Sequence, residues 1–249
     1  MKKPVLFLAF LISLVACSEK ESNLTVSGEI KGLKKGTLYL QKIEDTSLVN
    51  LDSMVVNGDA NFMLETYLES PQIMYLFLDK VDNNLYDDRI EFFADTGNVT
   101  IYSSLEKFET QADIKGSVNH QKLEEYRKVI RRFNDQNLDL IKASFEAEKA
   151  ENDEQLIEID QKYDRLLRRK YLYTVNFAVT NKDHEIAPYL ALSEVFDANI
   201  KYLDTIYKSL NPKVRKSKYG KELKSFLKER RKLEKLDKKV EDQSQDEQS

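Results

Sequence analysis

The chain has 249 residues, with 39 Lys and Arg against 43 Asp and Glu, a formal net charge of −4. A third of it is charged and 41% is hydrophobic, which excludes both a disordered chain and a protein of many membrane spans. A single cysteine excludes an internal disulfide, a CxxC redox pair and a cysteine-cluster metal site.

The first elements concern transport. Met1-Lys2-Lys3 is a basic start, and Val5 to Ala16 is apolar apart from Ser13. Twelve residues are too short to cross a bilayer and have the form of a signal-peptide core. The run ends in Leu14-Val15-Ala16-Cys17, which resembles the bacterial lipobox. That resemblance implies removal of residues 1–16 and lipid on Cys17. The alternative is an ordinary signal peptide with a chance cysteine. Each buried CH₂ of a lipid contributes ~0.8 kcal/mol, so two or three long chains anchor stably. Removal of 1–16 leaves 37 basic and 43 acidic residues, a charge of −6. Residues 17–22 then form a lipidated linker. Its acidic residues resemble the surface-export signal of Bacteroidetes-type lipoproteins, with a plain solvated linker as the alternative.

Residues 23–117 read as strands. Leu24, Val26, Gly28 and Ile30 alternate with polar residues, the period of a half-buried strand. Gly32 to Gly36 is a turn, and Thr37 to Ile43 is the next strand. Asn57-Gly58 between Met54-Val55-Val56 and Asp59 to Leu64 predicts a tight type I′ hairpin. Gln72 to Leu78, Arg89 to Ala94, Asn98 to Tyr102 and Gln111 to Ile114 complete about eight strands. Their spacing predicts an antiparallel β-sandwich or barrel. Six of the seven glycines lie before residue 117, which marks a change of structural class there.

Residues 118–236 read as helices, so the fold class is α+β. Apolar stripes at steps of three and four run through Leu123, Tyr126, Ile130 and Phe133, then through Leu156, Ile159, Tyr163 and Leu166. Asn152-Asp153 separates them, with Asp153 as the expected cap, and the two pair as a long α-hairpin. Pro188 and Pro212 open shorter helices. Residues 237–249 are polar and acidic and predict a disordered tail.

Few residues suggest chemistry. Asp79 to Asp88 has the acidity of a calcium loop, but Asn84 stands where the turn glycine is required, so a solvated hairpin tip is expected. His184-Glu185 is not HExxH, because Pro188 holds the second histidine's place. His120 has no cysteine or histidine partner. No metal site, cofactor site or catalytic residue is assigned, although a glycosidase-type carboxylate pair is not locatable by sequence. Residues 213–239 hold 13 basic and 4 acidic residues. They read as a solvated face, or as a contact for anionic headgroups or an acidic partner. Nucleic acid is not expected behind an export signal.

Several pieces together carry a family resemblance: Val26-Ser27-Gly28-Glu29-Ile30-Lys31-Gly32-Leu33, Gly36-Thr37-Leu38-Tyr39-Leu40-Gln41 and Val56-Asn57-Gly58-Asp59-Ala60-Asn61-Phe62. Gly97-Asn98-Val99-Thr100-Ile101 and Ile114-Lys115-Gly116-Ser117 fit as well. The chain resembles Bacteroidetes-type envelope lipoproteins with an N-terminal domain of unknown function. In many of them that domain precedes a thioredoxin-like reductase domain of the TlpA/ResA type. Without a CxxC pair, no redox role transfers to a residue here. The expectation is a non-enzymatic protein of the bacterial cell envelope, lipid-anchored through Cys17, on either face of the outer membrane. Its expected role is binding or scaffolding, accessory to thioredoxin-like reductases, with an unidentified protein partner. The alternative is a glycan- or peptide-binding lipoprotein, with a concavity near Tyr75, Tyr86 or Tyr102. A hydrolase and a holdase built on the helical hairpin are further rivals.

Overall fold

The computed structural model describes residues 21–80 and 88–246, without the side chains of 237–246. The expected signal segment, Cys17, Tyr86 and the interior of the acidic loop lie outside the described residues. Eight strands come first: β1 (Leu24–Lys31), β2 (Lys35–Glu44), β3 (Ser47–Asn57), β4 (Asn61–Thr66), β5 (Gln72–Asp79), β6 (Asp88–Ala94), β7 (Gly97–Ser104) and β8 (Asp113–Lys115). They form two four-stranded sheets, ordered β4-β1-β7-β8 and β3-β2-β5-β6. The period-two pattern sends Leu24, Val26 and Ile30 inward, into one core with Leu38, Leu40, Leu76, Ile90 and Phe92 of the other sheet.

Two local expectations are corrected. The first concerns strand direction: β1 and β7 pair in parallel along their whole length, from Leu24↔Gly97 to Lys31↔Ser104. Five strands separate them in sequence, so no hairpin dictates their direction. The second concerns Asn57-Gly58, which makes no hairpin, because β3 and β4 belong to different sheets. Only Gly58 has a positive φ, 95°, whereas a type I′ turn needs two. The tight hairpin is Asp45-Thr46, joining β2 to β3 with Glu44 opposite Ser47. Asp45 takes a φ of 54°, which aspartate tolerates better than most residues.

Six helices follow: α1 (Val118–Lys149), α2 (Asp153–Thr180), α3 (Ile186–Glu194), α4 (Ile200–Ser209), α5 (Pro212–Lys216) and α6 (Lys218–Asp246). The first two form the expected long hairpin. Asn152, not Asp153, caps α2 by accepting from the Gln155 amide at 3.0 Å. Tyr126 stacks on Tyr173 with ring centroids 5.8 Å apart, and its hydroxyl meets Thr174 Oγ1 at 2.8 Å. The hairpin is packed together at this end, next to the sandwich, whereas Leu138, Ile141, Phe145 and Ile157, farther along α1 and α2, are exposed. Helix α6 runs ten residues past 236, where the polar composition predicts a disordered tail. Lys, Glu, Asp and Gln dominate that stretch, and neither Gly nor Pro interrupts it.

The helical half has its own core, including Ala178, Ala187, Ala191, Leu203, Ile206, Leu223 and Leu227. A third cluster joins the halves. Ile73 and Phe93 reach out from β5 and β6 to Leu123, Tyr126, Ile186, Leu190 and Tyr219. The outer face of the β3-β2-β5-β6 sheet is thus the docking surface for the helices.

Candidate functional site: a cleft between sheet and helices

The junction is fixed by polar contacts as well as apolar ones. Ser117 caps α1 by accepting from the His120 amide at 2.9 Å, and its hydroxyl donates to Asp95 at 3.1 Å. Asn119 is buried and bridges three segments. Its Nδ2 donates to Asp95 Oδ1 at 2.6 Å and to Glu185 Oε2 at 3.1 Å, and its Oδ1 accepts from the Ile186 amide at 2.8 Å. Arg127 of α1 pairs with Glu91 of β6. These contacts give the first turn of α1 its orientation on the sheet.

His120 belongs to this joint. It is buried, and its Nδ1 accepts from the Phe93 amide at 3.3 Å. That bond requires a neutral ring with hydrogen on Nε2. Burial holds its pKa below the ordinary histidine value, helped by Arg127 and opposed by Glu124, Glu91 and Asp95. Above pH ~6.5 both folded and unfolded forms carry a neutral ring. As pH falls through ~6.5, the unfolded chain takes up the proton first, so stability declines toward acid. His120→Asn keeps an acceptor near the Nδ1 position and removes the titration. Urea denaturation at pH 7.5 and 5.5 should show a smaller acid loss in this variant; an equal loss in both proteins refutes the assignment. His184 sits half-buried in the turn before α3, where its amide donates to the Asn181 carbonyl at 3.0 Å.

Below this joint lies a cleft of about 1100 Å³. One wall is the end of β2, the Asp45 turn and the segment 67–71 between β4 and β5; the other is α3, α5 and the start of α6. Three tyrosines come together between them. Tyr75 is on β5, Tyr189 on α3 and Tyr219 on α6, with the Tyr189 and Tyr219 rings 5.2 Å apart. Tyr219 is held by the Ile73 amide, which donates to its hydroxyl at 3.0 Å. Burial pushes all three phenols up, Tyr189 to about 12, so they stay protonated at neutral pH. As neutral phenols they offer apolar ring faces and hydroxyls that can donate as well as accept, as the Tyr219 hydroxyl does from Ile73.

Lys218 crosses the junction. Its amide donates to Ser70 Oγ at 3.1 Å and its ammonium to Gln72 Oε1 at 2.5 Å. Burial lowers its pKa, with Glu222 opposing. Glu222 is itself pushed up by desolvation, with Lys218 opposing. Gly220 lets α5 lie against α6, since a Cβ there would sit 2.1 Å from the Val214 carbonyl oxygen. Beside the cleft, Gln41 is buried opposite Tyr75 in the β2–β5 ladder, and its Oε1 has no partner among the described residues. A buried acceptor of that kind marks a place for a donor.

The basic segment divides in two. Lys213, Lys216 and Lys221 line the cleft. Arg230 instead donates to the carbonyls of Phe196 and Ala198 at 2.7 and 3.3 Å, and Arg231 pairs with Asp204. Tyr102 is exposed on β7 and does not line the cleft. No group of three His, Cys, Asp or Glu suited to a metal ion occurs among the described residues. No helix among them is long and apolar enough to cross a membrane.

The chain is thus a β-sandwich fastened to a helical half, with a tyrosine-lined cleft at the seam. Residues 24–123 carry the domain described as Domain of unknown function (DUF4369), and no thioredoxin domain is detected. The match extends past residue 117 into α1, taking in Asn119, which is bonded to Asp95 just after β6, and His120, which is bonded to Phe93 of β6. No curated protein and no solved structure matches the chain.

Proposed function

We propose that the protein is a lipid-anchored component of the bacterial cell envelope, attached through Cys17, with a binding role and no catalysis. The supporting observation is the seam cleft, whose volume is of the order of small-ligand sites and whose lining joins aromatic surface to a few polar groups. A photo-crosslinking residue at Lys216, on the cleft wall, should capture a partner or ligand in intact cells. Its failure to capture anything there overturns the binding role. The resemblance to reductase-associated lipoproteins makes a thioredoxin-like reductase the first partner to look for. The tyrosines favour a second reading, a glycan or peptide as the bound molecule, because Tyr75 lies in the concavity and aromatic faces suit both.

Attachment is tested separately. Cys17→Ser should abolish labelling by a fatty-acid analogue and move the protein from the membrane to the soluble fraction. Labelling that persists refutes the anchor.

A further inference from the structure

We propose that the cleft takes a short oligopeptide with both termini free, its carboxylate on the α5–α6 wall and its ammonium on the wall of the β2–β3 turn. This rests on the binding role proposed above and adds the ligand's class and direction. The cleft is neutral as a whole but polarised. Its helical wall carries four lysines against two glutamates, a net of +2, and its strand wall carries three acidic residues against one lysine, a net of −2. Lys213, Lys216 and Lys221 are exposed and have no ion-pair partner among the described residues, and the same is true of Asp45 and Glu69.

Charges that are free on both walls are not satisfied by each other, so the complementary ligand carries a negative group at one end and a positive group at the other. A neutral glycan leaves both ends unmatched. A simple anion or cation matches one end and meets repulsion at the other. A free peptide satisfies both, and the Tyr189 ring between the walls offers its middle an apolar face and a hydroxyl.

The test uses the lipid-free Cys17→Ser protein, immobilised and offered three pools in turn. These are randomised tetrapeptides with free ends, the same tetrapeptides acetylated and amidated, and neutral oligosaccharides. Retained molecules are read by mass spectrometry. The free-ended pool should be retained about tenfold better than the blocked pool, and the advantage should fall as salt rises. A protein carrying Lys213→Glu, Lys216→Glu and Lys221→Glu, all exposed positions, should lose the advantage of the free-ended pool. Equal retention of free and blocked peptides overturns the inference. Retention of oligosaccharides but not peptides overturns it while leaving the binding role intact, and retention of none of the pools overturns it as well. The binding role itself stands or falls with the crosslink at Lys216.

Discussion

Replacing Tyr219 by alanine should destabilise the protein by about 3–5 kcal/mol, the range for removing a large buried aromatic side chain. Tyr219 is 9% exposed and sits where the two halves meet. Its ring makes edge contacts with Phe93 at 5.9 Å and lies 5.2 Å from Tyr189. The Ile73 amide loses its acceptor at the same time. Tyr219→Phe separates the two contributions: the ring stays, and the unpaired amide alone should cost about 1–3 kcal/mol. Urea denaturation gives both numbers. Because the sandwich and the helices have separate cores, the alanine variant should also lose its single transition, the two halves unfolding at different urea concentrations. A cost below ~1 kcal/mol with one transition would show that Tyr219 does not hold the seam.

Gly28→Ala should be as damaging, by another route. A Cβ at position 28 would lie 1.8 Å from the backbone oxygen of Ile101 and 2.7 Å from its carbonyl carbon. Both atoms are backbone of β7, the parallel neighbour of β1, so neither moves without breaking the ladder that runs from Leu24 to Lys31. The expected loss is at least ~3 kcal/mol, seen as poor soluble yield or a lowered denaturation midpoint. Gly58→Asn is the control. Gly58 has nothing within 4 Å of a built Cβ, and asparagine tolerates its φ of 95° better than other residues, so that change should cost under ~1 kcal/mol. Similar losses at both positions would contradict the close-approach argument.

These two residues differ in how far the sequence reveals them. Gly28 falls in the middle of an alternating strand, and a glycine there already signals a close backbone approach or a bulge; which strand approaches is not local information. The alternation of Leu24, Val26 and Ile30 and the stripe of Leu123, Tyr126 and Ile130 are local and were legible, because burial on one face imposes the period. Asn57-Gly58 misleads because turn chemistry specifies a local bend, not the sheet that the next strand joins. Asp45-Thr46, the true hairpin, lacks the glycine that would signal it. The cleft was the least legible feature. Tyr219 meets Ile73 across 146 positions, and Asn119 meets Glu185 across 66. Only Tyr75 among its tyrosines stood out, and nothing in the spacing joined it to Tyr189 or Tyr219. The basic run at 213–239 is visible as charge, but its division into cleft-lining lysines and bonded arginines depends on the loop after α3 that Arg230 reaches and on Asp204 of α4, which Arg231 pairs with.

The start of the described chain has a mechanical consequence. Asn23 is clasped to Leu68, its Nδ2 donating to the Leu68 carbonyl at 3.0 Å and its Oδ1 accepting from the Leu68 amide at 2.7 Å. The next residue opens β1, an inner strand bonded on one side to β4 and on the other to β7. A pull applied at Asn23 would therefore run along an inner strand. It loads two ladders in shear, so many hydrogen bonds share the force and none can be peeled off singly at an edge. Segment 67–71, which the clasp grips, is also part of the cleft's strand wall. Tension entering at Asn23 thus loads the wall of the cleft together with the sandwich core, to which Leu24 and Leu68 belong, and not the separate core of the helical half.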